Sequence, residues 1–320
     1  MKVIAMLPFK DEEWILPAFL SSVAPAVDEI VAIDDGSTDS SRRLVEEAGG
    51  HVVSSADLAG GMWGAGKGGR ELTVRDKLLA IARERGGTHF LALDADEALT
   101  TPARDGLREA LAALEPGRKL AMRWLTLWKS PRAYRDGDAS VWSGLYKDFG
   151  FADAPGLSFA GVARTPGPNG EEQWVKLPIE QGAVLHYQFV PWERVQMKQA
   201  WYRCQELLRQ NSSPFDLNVM YAHGLDDPDA RTTAVPDAWL EGIDVPTGIE
   251  ELGPTWHLDA IVEWFDEHGI EFFEPLQIWQ VPRLHELFVE RAGREPRPKL
   301  RRHPAHTAML LFKQHVLRSG

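Results

Sequence analysis

Cysteine is almost absent: Cys204 is the single one in 320 residues. That excludes an intramolecular disulfide and fits a reducing compartment. Cys204 falls in a helical pattern over 201–208, where a buried neutral thiol is expected and a nucleophile is not. Long hydrophobic runs are missing too. No segment reaches transmembrane length, and residues 1–13 hold too short an apolar run for a signal peptide. A cytoplasmic location is the expectation. Positive charge is in deficit, with 35 Lys and Arg against 47 Asp and Glu and a net charge of −12. That balance argues against a nucleic-acid partner. Internal repeats and low-complexity tracts are also lacking, which excludes solenoids and disordered arrays.

What remains is an ordinary globular composition, 44% hydrophobic and 26% charged, long enough for one large domain or two modest ones. Over the first 130 residues strand and helix signals alternate. Strands are expected over 2–8, 29–33, 51–54, 88–93 and 119–127. Helices are expected over 12–23, from a Thr38/Asp39 cap through Ala48, over 71–85 and over 103–114. Such alternation predicts an α/β fold with a mostly parallel sheet sandwiched by helices. From 130 to 182 the pattern weakens into aromatic, Gly- and Pro-rich loops. Helical periodicity returns over 192–210, 260–267 and 282–291.

The most informative stretch is 88–97, where an apolar run ends in Asp94-Ala95-Asp96-Glu97. Carboxylates leaving water at the end of a buried strand are costly unless compensated. Two of them one residue apart can hold a hard divalent cation, and that cation can hold phosphates. Alone, an Asp-x-Asp is as readily a solvated acidic turn. Here it has company: Pro8-Phe9-Lys10, Asp34-Asp35-Gly36-Ser37 and Asp94–Glu97 all fall at carboxyl ends of expected parallel strands. Ligands of such sheets bind at that edge.

Two glycine patterns mislead. Gly61 to Lys67 fits the first seven positions of a phosphate loop, but Gly68 stands where a Ser or Thr should bind Mg²⁺. Gly64-Ala-Gly66-Lys-Gly-Gly69 starts several residues past its strand, without the acidic partner of a dinucleotide fingerprint. A loop flanking the site, with Lys67 or Arg70 reaching a phosphate, and a plain connection both stay open. Among the twelve tryptophans, Trp124, Trp128 and Trp142 follow the acidic motif closely, where indole faces could meet a sugar.

Residues 8–13 (Pro-Phe-Lys-Asp-Glu-Glu), 27–39 (Val-Asp-Glu-Ile-Val-Ala-Ile-Asp-Asp-Gly-Ser-Thr-Asp) and 93–97 (Leu-Asp-Ala-Asp-Glu), in that order, resemble the inverting family 2 glycosyltransferases with the GT-A fold. The resemblance covers the first 100 residues well and runs more loosely to Gln188. It implies a GT-A, Rossmann-like catalytic domain over 1–190, followed by a helical and irregular extension over 191–320 with a basic tail. It implies a nucleotide-diphosphate sugar donor, UDP-linked, contacted by Pro8, Lys10, Glu12, Asp34, Asp35, Arg75, Asp76, Asp94 and Ala95. It further implies Mn²⁺ or Mg²⁺ on Asp94 and Asp96, with His186 completing the site. The family's usual Asn before the Glu is Asp11 here. An in-line displacement needs a carboxylate to deprotonate an acceptor hydroxyl; the candidates are Asp153 and Asp148, then Asp136 and Asp138. The donor sugar and the acceptor are not legible.

Two other functions stay in view. A sugar nucleotidyltransferase would need a glycine-rich basic signature directly after the first strand, and Met6-Leu-Pro-Phe-Lys10 lacks it. A non-catalytic nucleotide- or carbohydrate-binding protein remains open. Residues 291–320 hold eight Lys or Arg (Arg291, Arg294, Arg297, Lys299, Arg301, Arg302, Lys313, Arg318) against Glu295. An apolar stripe at Met309, Leu311, Phe312 and Val316 accompanies them. It suits docking on the protein itself, or peripheral contact with an anionic inner membrane face.

Overall fold

The computed structural model describes residues 1–57, 69–136, 144–159, 164–168, 170–210, 212–222 and 230–297, with backbone only for 69–73. Lys67, the Arg70 side chain, Asp138, Trp142 and everything beyond 297 lie outside the described residues. The chain divides into two compact units, one of residues 1–189 with 231–247, the other of 190–230 with 248–320.

The first unit is the α/β fold the alternation predicts. Its strands are β1 (Val3–Phe9), β2 (Glu29–Asp34), β3 (His51–Ser54), β4 (His89–Ala92), β5 (Glu97–Leu99), β6 (Lys119–Thr126), β7 (Ala133–Arg135), β8 (Tyr146–Ala152), β9 (Trp174–Lys176), β10 (Ala183–His186) and β11 (Thr232–Ala234). The main sheet runs β3-β2-β1-β4-β8-β6-β10-β5, with β9 beside β6, while β7 and β11 form a separate ribbon. β1 lies parallel to β2 and to β4, so their carboxyl ends share one edge.

β1 is buried on both faces, which is why it reads as one apolar run without alternation. Val3, Ala5, Leu7 and Phe9 pack with helices α1 (Leu16–Val23) and α4 (Thr101–Ala112). Ile4 and Met6 pack on the other face with Val74, Leu78 and Leu79 of α3 (Gly69–Glu84). Burying each such side chain contributes about 1.5–3 kcal/mol.

Two local deviations have visible causes. The helix expected from Glu12 starts at Leu16, because Pro17 sits in its first turn. The Glu12 carbonyl accepts the amides of Ile15 and Leu16 in a preceding turn. The loops expected over 130–182 contain β8, inserted antiparallel between β4 and β6. β8 bulges at Phe149, since Leu120 pairs with Gly150 and Ala121 with Asp148. A Cβ on Gly150 would stand 2.7 Å from Leu111 Cδ2, so the end of that α4 side chain would have to shift. Gly182, at φ +130°, lets the chain entering β10 approach the α4 backbone, where a Cβ would clash with the Ala103 nitrogen.

The second unit is mainly helical: α5 (Trp192–Leu208), α6 (Pro214–Met220), α7 (Trp256–His268) and α8 (Pro282–Ala292). Its core joins Met197, Trp201, Cys204, Phe265, Phe273 and Phe288. Cys204 is fully buried, and burial pushes its thiol up, out of the nucleophilic range. Of the tail's cations, Arg291 pairs with Asp266, and Arg294 and Arg297 pair with Glu274. No helix among the described residues is long and apolar enough to cross a membrane.

Candidate active site

The parallel register places the first two acidic motifs side by side. Phe9 pairs with Asp34 at the ends of β1 and β2, and the Asp35 amide donates to the Phe9 carbonyl at 2.9 Å. Asp34 accepts the Ser37 amide at 2.9 Å and Asp35 the Ser55 hydroxyl at 2.6 Å; both are nearly buried. The Glu12 carboxylate accepts from Trp14 Nε1 at 2.6 Å, while its amide donates to Ser41 Oγ. Pro8 pairs with Ile33, and Lys10 follows, half-buried. Asp11 takes a left-handed φ of 51° and accepts the Thr38 amide, tying the two loops together.

The third motif follows β4 in a turn closed by the Glu97 amide on the Asp94 carbonyl. β5 then pairs with β10, setting Glu97 opposite His186. Asp96 Oδ2 lies 3.6 Å from His186 Nε2. His186 stacks on Trp124, with ring centroids 4.2 Å apart, and its buried Nδ1 finds no hydrogen-bond partner among the described residues. Trp124 Nε1 donates to Glu97 Oε1 at 2.7 Å, and on the indole face rests Lys147 Nζ, 4.4 Å from the centroid.

Glu97 is fully buried; its Oε2 accepts Arg164 Nη1 at 2.5 Å and the Asp94 amide at 2.8 Å. Burial pushes the Glu97 carboxyl up against the pull of Arg164. Asp94 shows the opposite balance. Burial raises it, but Arg164 and Arg75 outweigh that and hold its carboxyl well below the usual carboxylate range. Arg75 Nη2 reaches Asp94 Oδ1 at 2.9 Å, and Arg164 Nη2 reaches Oδ2 at 3.0 Å. Burial, then Arg164, pulls the Lys147 ammonium down.

Four sequence expectations sit differently in the structure. Asp153 is at the wrong edge: its neighbour Ala152 pairs with His89, the first residue of β4. Five residues of chain, about 16 Å when extended, separate His89 from Asp94. There Asp153 is gripped by Arg83, through Nε at 3.0 Å and Nη2 at 2.7 Å. Asp153→Asn is therefore expected to leave any turnover within a few-fold of wild type. Breaking this half-exposed pair should cost about 1 kcal/mol, a drop of about 2 °C in Tm. A larger loss of rate at unchanged Tm would reinstate it. Asp76 is exposed on α3 and accepts the Phe159 amide, so Arg75 alone of that pair meets the acids. Ala95 keeps its side chain in the core, leaving only backbone to offer.

The expected metal triad is the fourth. Among the described residues no group of three His, Cys, Asp or Glu side chains is disposed to hold an ion, because Asp94 is turned to its arginines. The remaining donors suit Mn²⁺ or Mg²⁺. Adjacent ligands of a small octahedral ion lie about 3 Å apart, and Asp96 Oδ2 with His186 Nε2 approaches that spacing. Oxygen plus one imidazole is also an acceptable donor set. Asp148 lies on the cluster's side, paired with Lys119 at 3.4 Å and bonded by the Thr165 hydroxyl. Asp136 donates its amide to the Arg231 carbonyl beside the β7–β11 ribbon. Arg164 went unseen in the sequence: it lies outside any periodic segment, and its sole signal is the need for cations beside buried acids.

No family model and no curated relative matches the chain. Among solved structures, a mycobacterial protein is similar at 25% identity, over 40% of this chain and 42% of that one, with a TM-score of 0.30. Glucosyl-3-phosphoglycerate synthase from Mycobacterium tuberculosis, in complex with phosphoglyceric acid, is similar at 23% identity, over 39% and 44%, with a TM-score of 0.29. The same synthase with Mn²⁺, uridine-diphosphate and glucosyl-3-phosphoglycerate gives 22% identity, the same coverages and 0.29. The chain thus spans less than half the length of the solved structures it matches. At these TM-scores the likeness assigns no role to any residue of this chain.

Proposed function

We propose that this chain is a metal-dependent inverting glycosyltransferase of the family 2 kind, moving a sugar from a UDP-linked donor to a hydroxyl acceptor. The observation that carries the reading is the meeting of Asp96 and His186 at the carboxyl end of β4, on the edge that also presents Asp34, Asp35 and Glu12. Parallel α/β sheets bind nucleotides at that edge. Asp34, Asp35 and Glu12 are assigned to the uridine and ribose, whose hydroxyls and ring amide suit carboxylate acceptors. Asp96 and His186, with Asp94, would hold Mn²⁺ or Mg²⁺, which when bound offsets the charge of a leaving diphosphate.

The acids and cations of the cluster are balanced in the protein itself, Arg75 and Arg164 against Asp94 and Glu97. An incoming diphosphate therefore meets guanidinium groups already desolvated and oriented. Trp124 offers one indole edge to Glu97 and its ring to His186 and Lys147, which holds these side chains in one arrangement. Asp148 is the carboxylate assigned to take the acceptor's proton, since Thr165 and Lys119 orient it on the cluster's side of β8.

Titration calorimetry with UDP tests the reading. Affinity is expected to rise at least about tenfold with Mn²⁺ and to return to the metal-free value on chelation. Equal affinity in both conditions removes the metal from the mechanism. Binding without any Mn²⁺-dependent turnover of UDP-sugars, by transfer or by hydrolysis, would favour a non-catalytic binding protein.

A further inference from the structure

Both oxygens of Asp94 are engaged by guanidinium groups, and the two arginines are not equivalent. Arg75 belongs to α3, fixed by sixteen residues of helix. Arg164 lies in irregular chain and spans two carboxylates with separate nitrogens, Nη1 on Glu97 and Nη2 on Asp94. Its guanidinium also rests 5.0 Å from the Phe149 ring centroid. Glu97 is fully buried and further fixed by Trp124 and the Asp94 amide. The Glu97 arm is therefore the anchor, and the Asp94 arm can let go without stranding the cation. A bridging guanidinium at Asp94 does what a bound metal ion does there: it neutralises the carboxylate. It also repels a second cation at short range.

We propose that Arg164 is an exchangeable internal cation. In the ligand-free protein it takes the metal's place on Asp94. When nucleotide and metal arrive together, its Nη2 swings from Asp94 to the diphosphate while Nη1 stays on Glu97. The inference rests on the metal–nucleotide reading above. Its consequence is coupling. Metal alone must displace Arg164 with no anion to receive it, and nucleotide alone leaves Asp94 holding the guanidinium. Each ligand therefore improves the other's affinity by the same factor. Guanidinium suits the role because its planar fork matches carboxylate and phosphate alike.

The test measures Mn²⁺ binding to the intact chain by electron paramagnetic resonance of free Mn²⁺, with and without UDP. Wild type is expected to bind Mn²⁺ weakly alone and at least about tenfold more tightly with UDP. Arg164→Gln should bind Mn²⁺ alone about tenfold more tightly than wild type, and the factor by which UDP tightens that binding, measured against UDP and Mn²⁺ without protein, should be smaller than in wild type. If that variant does not fold, Arg164→Lys carries the test, because a single ammonium cannot span Asp94 and Glu97 in this way. The same direction of change is then expected. A folded variant whose affinity for Mn²⁺ alone is unchanged or weaker overturns the exchange, while UDP-dependent Mn²⁺ binding in wild type keeps the site reading. Absence of Mn²⁺ binding to wild type even with UDP overturns both.

Discussion

Asp96→Asn is expected to lower UDP affinity measured with Mn²⁺ to near the metal-free value, a loss of at least about tenfold or about 1.4 kcal/mol, while the metal-free affinity and the melting temperature stay near wild type. The substitution is isosteric and removes only charge. The backbone is held independently, since the Asp96 carbonyl accepts the Tyr187 amide at 2.8 Å. The carboxylate's identified neighbour in the cluster is His186, 3.6 Å away. A carboxamide is a weaker ligand than a carboxylate for a hard cation, so the loss should fall on metal-dependent binding and on turnover together. Asp94→Asn should behave differently. Removing that charge leaves Arg75 and Arg164 facing each other across a neutral group, so stability should fall along with binding. If Asp96→Asn binds UDP with Mn²⁺ as tightly as wild type, the Asp96–His186 pair is not the metal site.

How much of this was legible in the sequence divides along a physical line. Strands β1, β2 and β4 announced themselves because parallel strands buried on both faces need continuous apolar runs. The expected third strand, over 51–54, is β3 to the residue. The carboxyl-end rule then located Asp34, Asp35, Asp94 and Asp96 without any knowledge of contacts. What failed was what depends on pairing partners far apart in sequence. β8 reads Tyr-Lys-Asp-Phe-Gly-Phe-Ala, and its bulge and its glycine break the alternation a strand should show. Without its antiparallel direction, Asp148 and Asp153 were indistinguishable. In space Asp148 lies within β8, opposite Ala121 and bonded by Thr165, while Asp153 lies past the end of that strand and is held by Arg83. Arg164 is the sharper case. A single arginine in irregular chain has no periodicity to betray it, yet it bridges Asp94 and Glu97.

Glu97 was legible as part of a motif but not as its keystone, and its removal should have the largest effect on folding. Glu97→Ala is expected to destabilise the protein by about 3–5 kcal/mol, the scale for breaking a buried ion pair by removing one partner. Three donors lose their acceptor at once: Arg164 Nη1, Trp124 Nε1 and the Asp94 amide. Glu97 also sits in the β5–β10 pairing opposite His186. Glu97→Gln keeps one carbonyl oxygen and the shape, so about 1–3 kcal/mol is expected for that variant. The two substitutions therefore separate packing from charge. Denaturant unfolding followed by tryptophan emission measures both, because Trp124 stands in the affected network. An Ala variant within 1 kcal/mol of wild type would mean that Arg164 finds another acceptor. Glu97 would then not be what holds the strand end, the indole and the guanidinium in one arrangement.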